Sequence, residues 1–518
     1  MARYGALGAV QADVCSSRGS VLQIKTKRLS GITVREAKNE RGKPMSREGK
    51  LVKNTMILAI GTFFPKVAIF ITLPLLTAYL SKAEYGTYDL VLTLVSLLLP
   101  AATLQIQSAA FRFLIDVRSD EEEKESIITN IYGFIVPVSV AALVIMYFVM
   151  RDLSTPIKIS ICMYFFCDII SNANKQIIRG LSNNTAYAIG SFIGALGQIL
   201  LVLLLICVYH QGLVGGIVAI CVAELLSALY LLFAGKIYKY ISLKKLSLHK
   251  VKEMIAYSWP MVPNNLSQWV IHVSDRLVIS AFLGVTANGI YAVAYKLPSI
   301  LSFAQTTFNM SWQENATLTA KDNDVTQYYS SMFAAFFNIV AGGMAFLIGI
   351  SPVLFGLLIR GDYHEAYSQL PILYMGILFY CLSSFWGGIY VAFKQTKAVA
   401  TTTIIAAVIN LAIDLITIHW IGLYAASIST LVSYMVLCIV RLTGVQKIIT
   451  LDYNVKHVAF ILALLTVECG LSFLQNRACN VINFIFGMIL LFTLNKNTLQ
   501  SAAKKIGQKY HQITKPQK

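Results

Sequence analysis

The chain has 518 residues, of which 56% are hydrophobic and only 13% charged, and its mean hydropathy is +0.65. Soluble chains carry about 25% charged residues, so a soluble globular protein is excluded and an all-α integral membrane protein is expected. Lys and Arg outnumber Asp and Glu by 43 to 25, a formal charge of +18. No soluble basic segment with interleaved aromatics accompanies that excess, which excludes nucleic acid as a partner.

Residues 1–44 are polar and patternless, without the charged, apolar and cleavable pattern of a signal peptide. Met45 opens MSREGKLVKNTMILAIG, a short basic leader that runs into the first apolar segment. Translation is therefore expected to begin at Met45, the alternative being a cytoplasmic arm over 1–50. A helix needs about 20 apolar residues to cross about 30 Å of hydrocarbon. About fourteen segments qualify, at 56–80, 87–110, 127–149, 157–178, 187–209, 213–235, 258–283, 287–310, 331–351, 370–393, 398–418, 421–442, 457–475 and 479–495. They are solidly apolar and lack the dyad alternation of barrel strands.

Basic residues crowd the N-terminal arm, the 236–252 stretch, Lys394, Lys397, Arg441, Lys447 and the tail. With fourteen spans these fall on one side, while the opposite loops hold about five, Lys82, Arg151, Lys158, Arg360 and Arg477. The positive-inside rule then puts both termini in the cytoplasm.

The long connection after the sixth span divides the chain into a first six-helix lobe at 51–235, a basic linker at 236–256 and a second six-helix lobe at 257–443. Two further helices follow at 444–495, then a basic tail at 496–518. TAYLSKAEYGTY from Thr77 is echoed by SAFLGVTANGIY from Ser280, with Gly86 and Tyr88 matched by Gly289 and Tyr291. Gly212-Leu213-Val214-Gly215-Gly216 is echoed by Gly422-Leu423-Tyr424-Ala425-Ala426. An even number of spans separates each pair, so the repeats are parallel. Paired repeats around a midplane site are a transporter architecture.

Span seven carries Asn265, Gln268, His272, Asp275 and Arg276 at three- and four-residue intervals, one polar face of a helix. Span eight continues the pattern with Asn288, Tyr291, Tyr295, Ser299, Ser302, Thr306 and Asn309, with Lys296 one step aside. A charge at a helix centre costs roughly 2.5–3.5 kcal/mol on insertion scales, so such groups face partners, water or substrate. Lys66, beside Pro65, is placed either in a cavity or snorkelling towards the interface. Arg112, closing span two with Asp116, reads equally as a cytoplasmic anchor or a site residue. Asp275 adjoins Arg276 but points about 100° away from it. Asp275, Glu224, Asp414, Asp168 and Glu468 are the buried carboxylates, each a proton-carrier candidate or a helix-to-helix bonding group.

No P-loop, GxSxG elbow, HExxH motif or large external loop is present in the sequence, so no enzyme, cofactor or metal is expected. The nine cysteines are scattered singly and read as small buried residues.

The segment from Lys53 to Leu90, the YSWPMVPNNLSQWVIHVSDRLVISAFLGVTANGIYAVAYKLPSIL block from Tyr257, and LSSFWGGIYVAFKQTKAVATTTIIAAVINLAIDLI from Leu382 resemble the bacterial polysaccharide (oligosaccharide) flippase family. Its superfamily also holds multidrug and toxic compound extrusion proteins and peptidoglycan lipid flippases. The resemblance implies two lobes in a V around a central cavity that opens alternately to each side of a bacterial cytoplasmic membrane. It further implies transfer of an undecaprenyl-diphosphate-linked oligosaccharide to the outer leaflet for surface polysaccharide synthesis.

Cavity cations hold the diphosphate in such relatives. Arg276 and Lys296 lead here, with Lys66 and Arg112 as first-lobe partners and Asn265, Gln268, His272 and Tyr295 beside them. Asp275, Glu224 and Asp414 are the ion-coupling candidates, Asp275 being open either to holding the cations or to carrying a proton. Trp259, Trp269, Tyr291, Tyr295, Trp312 and Trp386 suit sugar stacking or an interfacial belt equally. Expected partners are the lipid-linked oligosaccharide, membrane lipids and a glycan polymerase or assembly machinery. The other readings are a cation-coupled multidrug exporter, a peptidoglycan lipid-precursor flippase and, against the short loops, a membrane glycan polymerase or ligase.

Overall fold

Each of the fourteen apolar segments is largely helical in a computed structural model, which describes residues 47–514 except Arg118 and Asp152. Side chains of 47–56, 58, 59, 264, 310, 497–499 and 501–514 are not described. The expected start at Met45 lies outside the described residues. The first lobe comprises α1 (Arg47–Tyr79), α2 (Lys82–Thr103), α3 (Ile106–Asp116), α4 (Glu121–Val149), α5 (Thr155–Gly180), α6 (Asn184–Val202) and α7 (Gly212–Ala234). A short amphipathic α8 (Leu248–Ser258) leads into α9 (Met261–Phe282), α10 (Val285–Thr319), α11 (Val325–Leu358), the one-turn α12 (His364–Tyr367), α13 (Leu370–Ala392), α14 (Thr396–Ile421) and α15 (Tyr424–Gln446). The appended pair is α16 (Val455–Phe473) and α17 (Arg477–Thr514), both packed on α11.

Among the described residues, eleven helices are long and apolar enough to cross a membrane. The expected fourteen is larger than length and apolarity alone support. The difference lies in α5, α9 and α10, which are long enough but interrupted by polar side chains. In α9 and α10 Ser274, Asp275, Arg276, Asn288, Ser299 and Gln305 are buried against other helices, whereas Thr306, Thr307 and Ser311 are exposed.

Three sequence expectations need correction. The second span, 87–110, is not one helix, because Leu104 (φ 47°) and Gln105 (φ 58°) break it into α2 and α3. Two non-glycine residues in left-handed conformation form a strained joint, and Thr103 Oγ1 steadies it by accepting from the Gln105 N–H at 3.3 Å. The linker at 236–256 is not merely a positively charged loop. The first turn of α4 offers Glu121, Glu122 and Glu123, and Tyr240, Lys245 and Lys250 bind these carboxylates in that order. Asn130 is fully buried, donating to the Lys245 carbonyl at 2.9 Å and accepting from the Ser247 N–H at 2.7 Å. The linker is thereby fastened to the first lobe. Helix α17 also runs past the expected end at 495 to Thr514.

The repeat is visible in the backbone. Gly212 (φ 54°) and Gly422 (φ 57°), the glycines that open the two echoed turns, both take positive φ, one as the first residue of α7 and the other two residues before α15. Gly86 on α2 and Gly289 on α10, matched to each other in the sequence, meet face to face where the lobes touch. A Cβ at Gly86 would lie 1.8 Å from the Val285 carbonyl oxygen, and one at Gly289 would lie 2.2 Å from that of Lys82. Asn288 Nδ2 donates to the Gly86 carbonyl at 2.8 Å beside this crossing. At the same end Lys82 pairs with Asp362 at 3.1 Å and Glu365 at 3.5 Å. Thr77 Oγ1 there accepts from the Arg360 N–H at 2.9 Å.

Gly86→Ala is expected to prise α2 from α10, because backbone and not a flexible side chain fills the space. Hydrogen exchange across 82–89 and 285–292 should rise severalfold in the purified variant; unchanged protection would show that the crossing does not close this end.

Candidate functional site

Beneath the glycine crossing, α2 contributes Asp89 to the lobe interface and the second lobe contributes Arg276 and Lys296. Asp89 lies two turns into α2 and is 5% exposed. Its Oδ2 is 2.7 Å from Arg276 Nε and its Oδ1 is 3.5 Å from Lys296 Nζ. Neither Asp89 Oδ2 nor Arg276 Nε completes an aligned hydrogen bond, so the contact is held by charge more than by orientation. The Arg276 guanidinium also stands 5.2 Å from the Tyr295 ring centroid, a cation–π geometry. One carboxylate from one lobe thus carries two cations from the other.

The polar face of α9 divides among three environments. Asp275 points away from Arg276, and its Oδ2 accepts from Tyr291 Oη at 2.7 Å and Thr430 Oγ1 at 2.6 Å. Asp414 on α14 lies within electrostatic reach of Asp275 and is 1% exposed, with both carboxylate oxygens lacking a hydrogen-bond partner. Asn410, one turn earlier, accepts from Ser274 Oγ and donates to Ser429 Oγ, each at 3.3 Å. His272 Nδ1 sits 2.6 Å from Tyr434 Oη inside the second lobe, and Gln268 lines the same interior pocket. Asn265 is half-buried near the start of α9.

The other expected cations do not join this cluster. Lys66 lines a cleft of about 870 Å³ between α1 and α10, its Nζ 4.7 Å from the Phe303 ring centroid. Along α1 it is 13 residues from Tyr79, or about 20 Å at ~1.5 Å per residue, so it sits near mid-span. Arg112 is half-exposed on α3 and pairs with Asp116 at 2.5 Å, the arrangement of a surface anchor. Glu224 is occupied within the first lobe, accepting from Lys175 at 3.0 Å and Ser171 at 2.5 Å.

Of the aromatics, Tyr291, Trp312 and Trp386 are core residues with at most 2% exposure, so the structure removes them from a sugar-stacking surface. Trp312 stacks on Phe385 at 4.4 Å. Trp269 Nε1 donates across the lobes to Ser96 Oγ at 2.9 Å, and Trp259 is exposed.

Sequence reasoning missed two residues. Asp89 was legible as the only charged residue of the expected span 87–110, but its place near the span's start reads as an interfacial acid. Arg441 reads as part of the positive-inside count, yet α15 buries it at 7% exposure.

Two parallel helical lobes of membrane-length helices meeting at a charged interface define a multi-pass membrane protein. The profile of the polysaccharide biosynthesis protein family matches residues 51–313, which include Asp89, Arg276 and Lys296. The chain belongs to that family. No curated protein sequence matches it significantly.

Solved structures share the fold. An inward-facing multidrug resistance MATE family transporter of the MOP superfamily is 14% identical with a TM-score of 0.63, over 76% of this chain and 98% of that one. The lipid II flippase MurJ in an inward closed conformation is 14% identical with a TM-score of 0.64, over 86% of this chain and 100% of that one. A MOP superfamily transporter from Pyrococcus furiosus, described by the reverse polarity of its binding pocket, is 15% identical with a TM-score of 0.55, over 77% and 96%.

Asp89→Asn would leave Arg276 and Lys296 buried without a carboxylate in salt-bridge contact. Removing one partner of a buried pair costs about 3–5 kcal/mol, so a clear fall in Tm of the detergent-purified protein is expected. Replacing all three residues by apolar ones of similar volume should recover most of that loss. A Tm unaffected by Asp89→Asn would mean that the interface does not depend on this carboxylate.

Proposed function

We propose that the protein is a flippase, not an enzyme, for an undecaprenyl-diphosphate-linked oligosaccharide. It moves this cargo by alternating access from the cytoplasmic to the outer leaflet of a bacterial cytoplasmic membrane, both termini remaining cytoplasmic. The product serves surface polysaccharide synthesis, whether capsule, exopolysaccharide or O-antigen, and passes to a glycan polymerase or assembly machinery. The observation that carries the reading, together with family membership, is that Arg276 and Lys296 share a single carboxylate contributed by the opposite lobe.

A diphosphate faces a severe barrier in hydrocarbon, and a guanidinium and an ammonium side by side replace its hydration. Arg supplies paired donors to phosphate oxygens and Lys a compact point charge. When the lobes part at the glycine crossing, Asp89 leaves with α2 while Arg276 and Lys296 stay with α9 and α10. The diphosphate then takes the position of Asp89. When the empty carrier closes again, Asp89 returns as the resident counter-ion, so the two cations are never buried alone.

For energy coupling we propose Asp275 and Asp414, two buried carboxylates whose remaining oxygens lack donors, as the seat of a coupling cation, either a proton or an alkali ion. Glu224 is set aside because Lys175 already neutralises it. Lys66 and Tyr295 line the route beside the cluster, whereas Arg112 serves as an anchor.

In cells making the surface glycan, Arg276→Ala with Lys296→Ala is expected to lower transfer of the lipid-linked precursor at least tenfold, with precursor accumulating on the cytoplasmic leaflet while protein level is unchanged. An unaltered leaflet distribution would falsify the assignment of these cations. Asp414→Asn should retain precursor binding but lose the dependence of transfer on an imposed ion gradient; retained dependence would remove Asp414 from coupling.

A further inference from the structure

A second polar space lies wholly inside the second lobe, walled by α9, α10, α13, α14 and α15, with a volume of about 160 Å³. Its floor is Arg441, a buried cation without a carboxylate within salt-bridge distance among the described residues. Buried charges are normally paired with opposite charges. Arg441 instead donates only to neutral oxygens. Nε donates to Thr402 Oγ1 at 3.2 Å, Nη1 to the Ser383 carbonyl at 3.0 Å, and Nη2 to Thr403 Oγ1 at 2.9 Å and the Val399 carbonyl at 3.5 Å. These bonds use four of the five guanidinium N–H groups, leaving one donor and the whole charge for whatever enters.

Three further observations point to a ligand. No Asp or Glu lines the pocket, so the positive field is unopposed there. Gly387 faces Nη1, and a Cβ at that position would stand 3.0 Å from it, so the absence of a side chain keeps the approach to the guanidinium open. Asn309 Oδ1, on the α10 wall, is buried and accepts no hydrogen bond, which provides an acceptor for a hydroxyl.

The repeat shows that the scaffold does not require this arginine. By the register that matches Gly212 to Gly422, its first-lobe counterpart is Leu231, a fully buried apolar residue.

We infer that this pocket binds the carboxylate and ring hydroxyls of an acidic sugar, a uronate, carried in the translocated glycan. One free N–H and a single full charge suit one oxygen of a monoanion, whereas a phosphate needs several donors. The space admits a sugar ring. His272 and Gln268 lie one and two turns along α9 from Arg276, about 6 and 12 Å at ~1.5 Å per residue. A diphosphate held at Arg276 therefore places an early sugar of the chain at the pocket. This placement within the cargo rests on the flippase reading; recognition of the sugar does not.

The test is binding of free glucuronate to the purified full-length protein, read by titration calorimetry and thermal shift. Glucose, acetate and inorganic phosphate serve as the competing probes. Saturable stabilisation by glucuronate is expected, at least tenfold tighter than by any of the other three. Arg441→Gln should weaken it at least tenfold; if that variant does not fold, Asn309→Leu, which removes the free acceptor from the wall, should weaken it severalfold.

Equal binding of glucose would overturn the anionic assignment. Equal binding of acetate or phosphate would overturn the sugar, and no binding at all would overturn both. Arg276→Ala should keep its glucuronate affinity. If glucuronate binds as expected while cells lacking the protein still transfer the lipid-linked precursor normally, the pocket stands and the flippase reading falls.

Discussion

One carboxylate set against two cations across a seam between rigid lobes is the constraint on which the rest of this structure depends. Charges at this depth are costly and persist where they face a partner, a polar cavity or a ligand. Asp89 belongs to one lobe and Arg276 and Lys296 to the other, so the lobes cannot separate without exposing an unbalanced charge to water or to a charged ligand. A hydrophobic seam would reopen at a cost fixed by area alone. This one reopens at a cost that depends on what arrives to replace Asp89.

The glycine crossing and the ion cluster act at different ranges. Gly86 and Gly289 permit backbone-to-backbone approach, and that close approach brings Asp89 within reach of Arg276. The exposed pairs of Lys82 with Asp362 and Glu365 at the rim add little, since solvated ion pairs contribute about 0–1 kcal/mol. On the opposite side, the linker bound to the acidic turn of α4 ties the start of the second lobe to the body of the first. The Ser258 hydroxyl continues that tie by donating to the Leu104 carbonyl at 2.8 Å, at the broken joint between α2 and α3.

Much of this was legible in the sequence, and the limits have physical causes. Apolar length gave the helices, and the echo at Gly86 and Gly289 gave the parallel repeat. Periodicity on α9 correctly marked Gln268, His272, Asp275 and Arg276 as not lipid-facing. It could not say which neighbour each one meets, because a helix enclosed on several sides offers several interiors. Asp275 thus faces α10 and α15, Arg276 faces α2, and His272 faces the pocket above Arg441. Tyr291, Trp312 and Trp386 were misplaced for a related reason: an aromatic is equally at home in a core, a belt or a binding surface. The break after Thr103 carried no glycine to announce it, and Pro100 alone does not distinguish a bend from a stop.

The meeting of Gly86 with Gly289 has one more consequence. Residues that occupy equivalent places in two copies of a unit come face to face only on or near the axis relating those copies, as in an isologous dimer. The crossing therefore has the form of a subunit contact preserved inside a single chain. Joining the halves freed them to differ, and their differences are chemical more than architectural: a leucine stands where its counterpart is Arg441, and the cations of the seam sit on one half while their counter-ion sits on the other. Within one chain the two halves need not repeat each other, so a single acid on one half can face two cations on the other without a second, mirrored copy of the cluster.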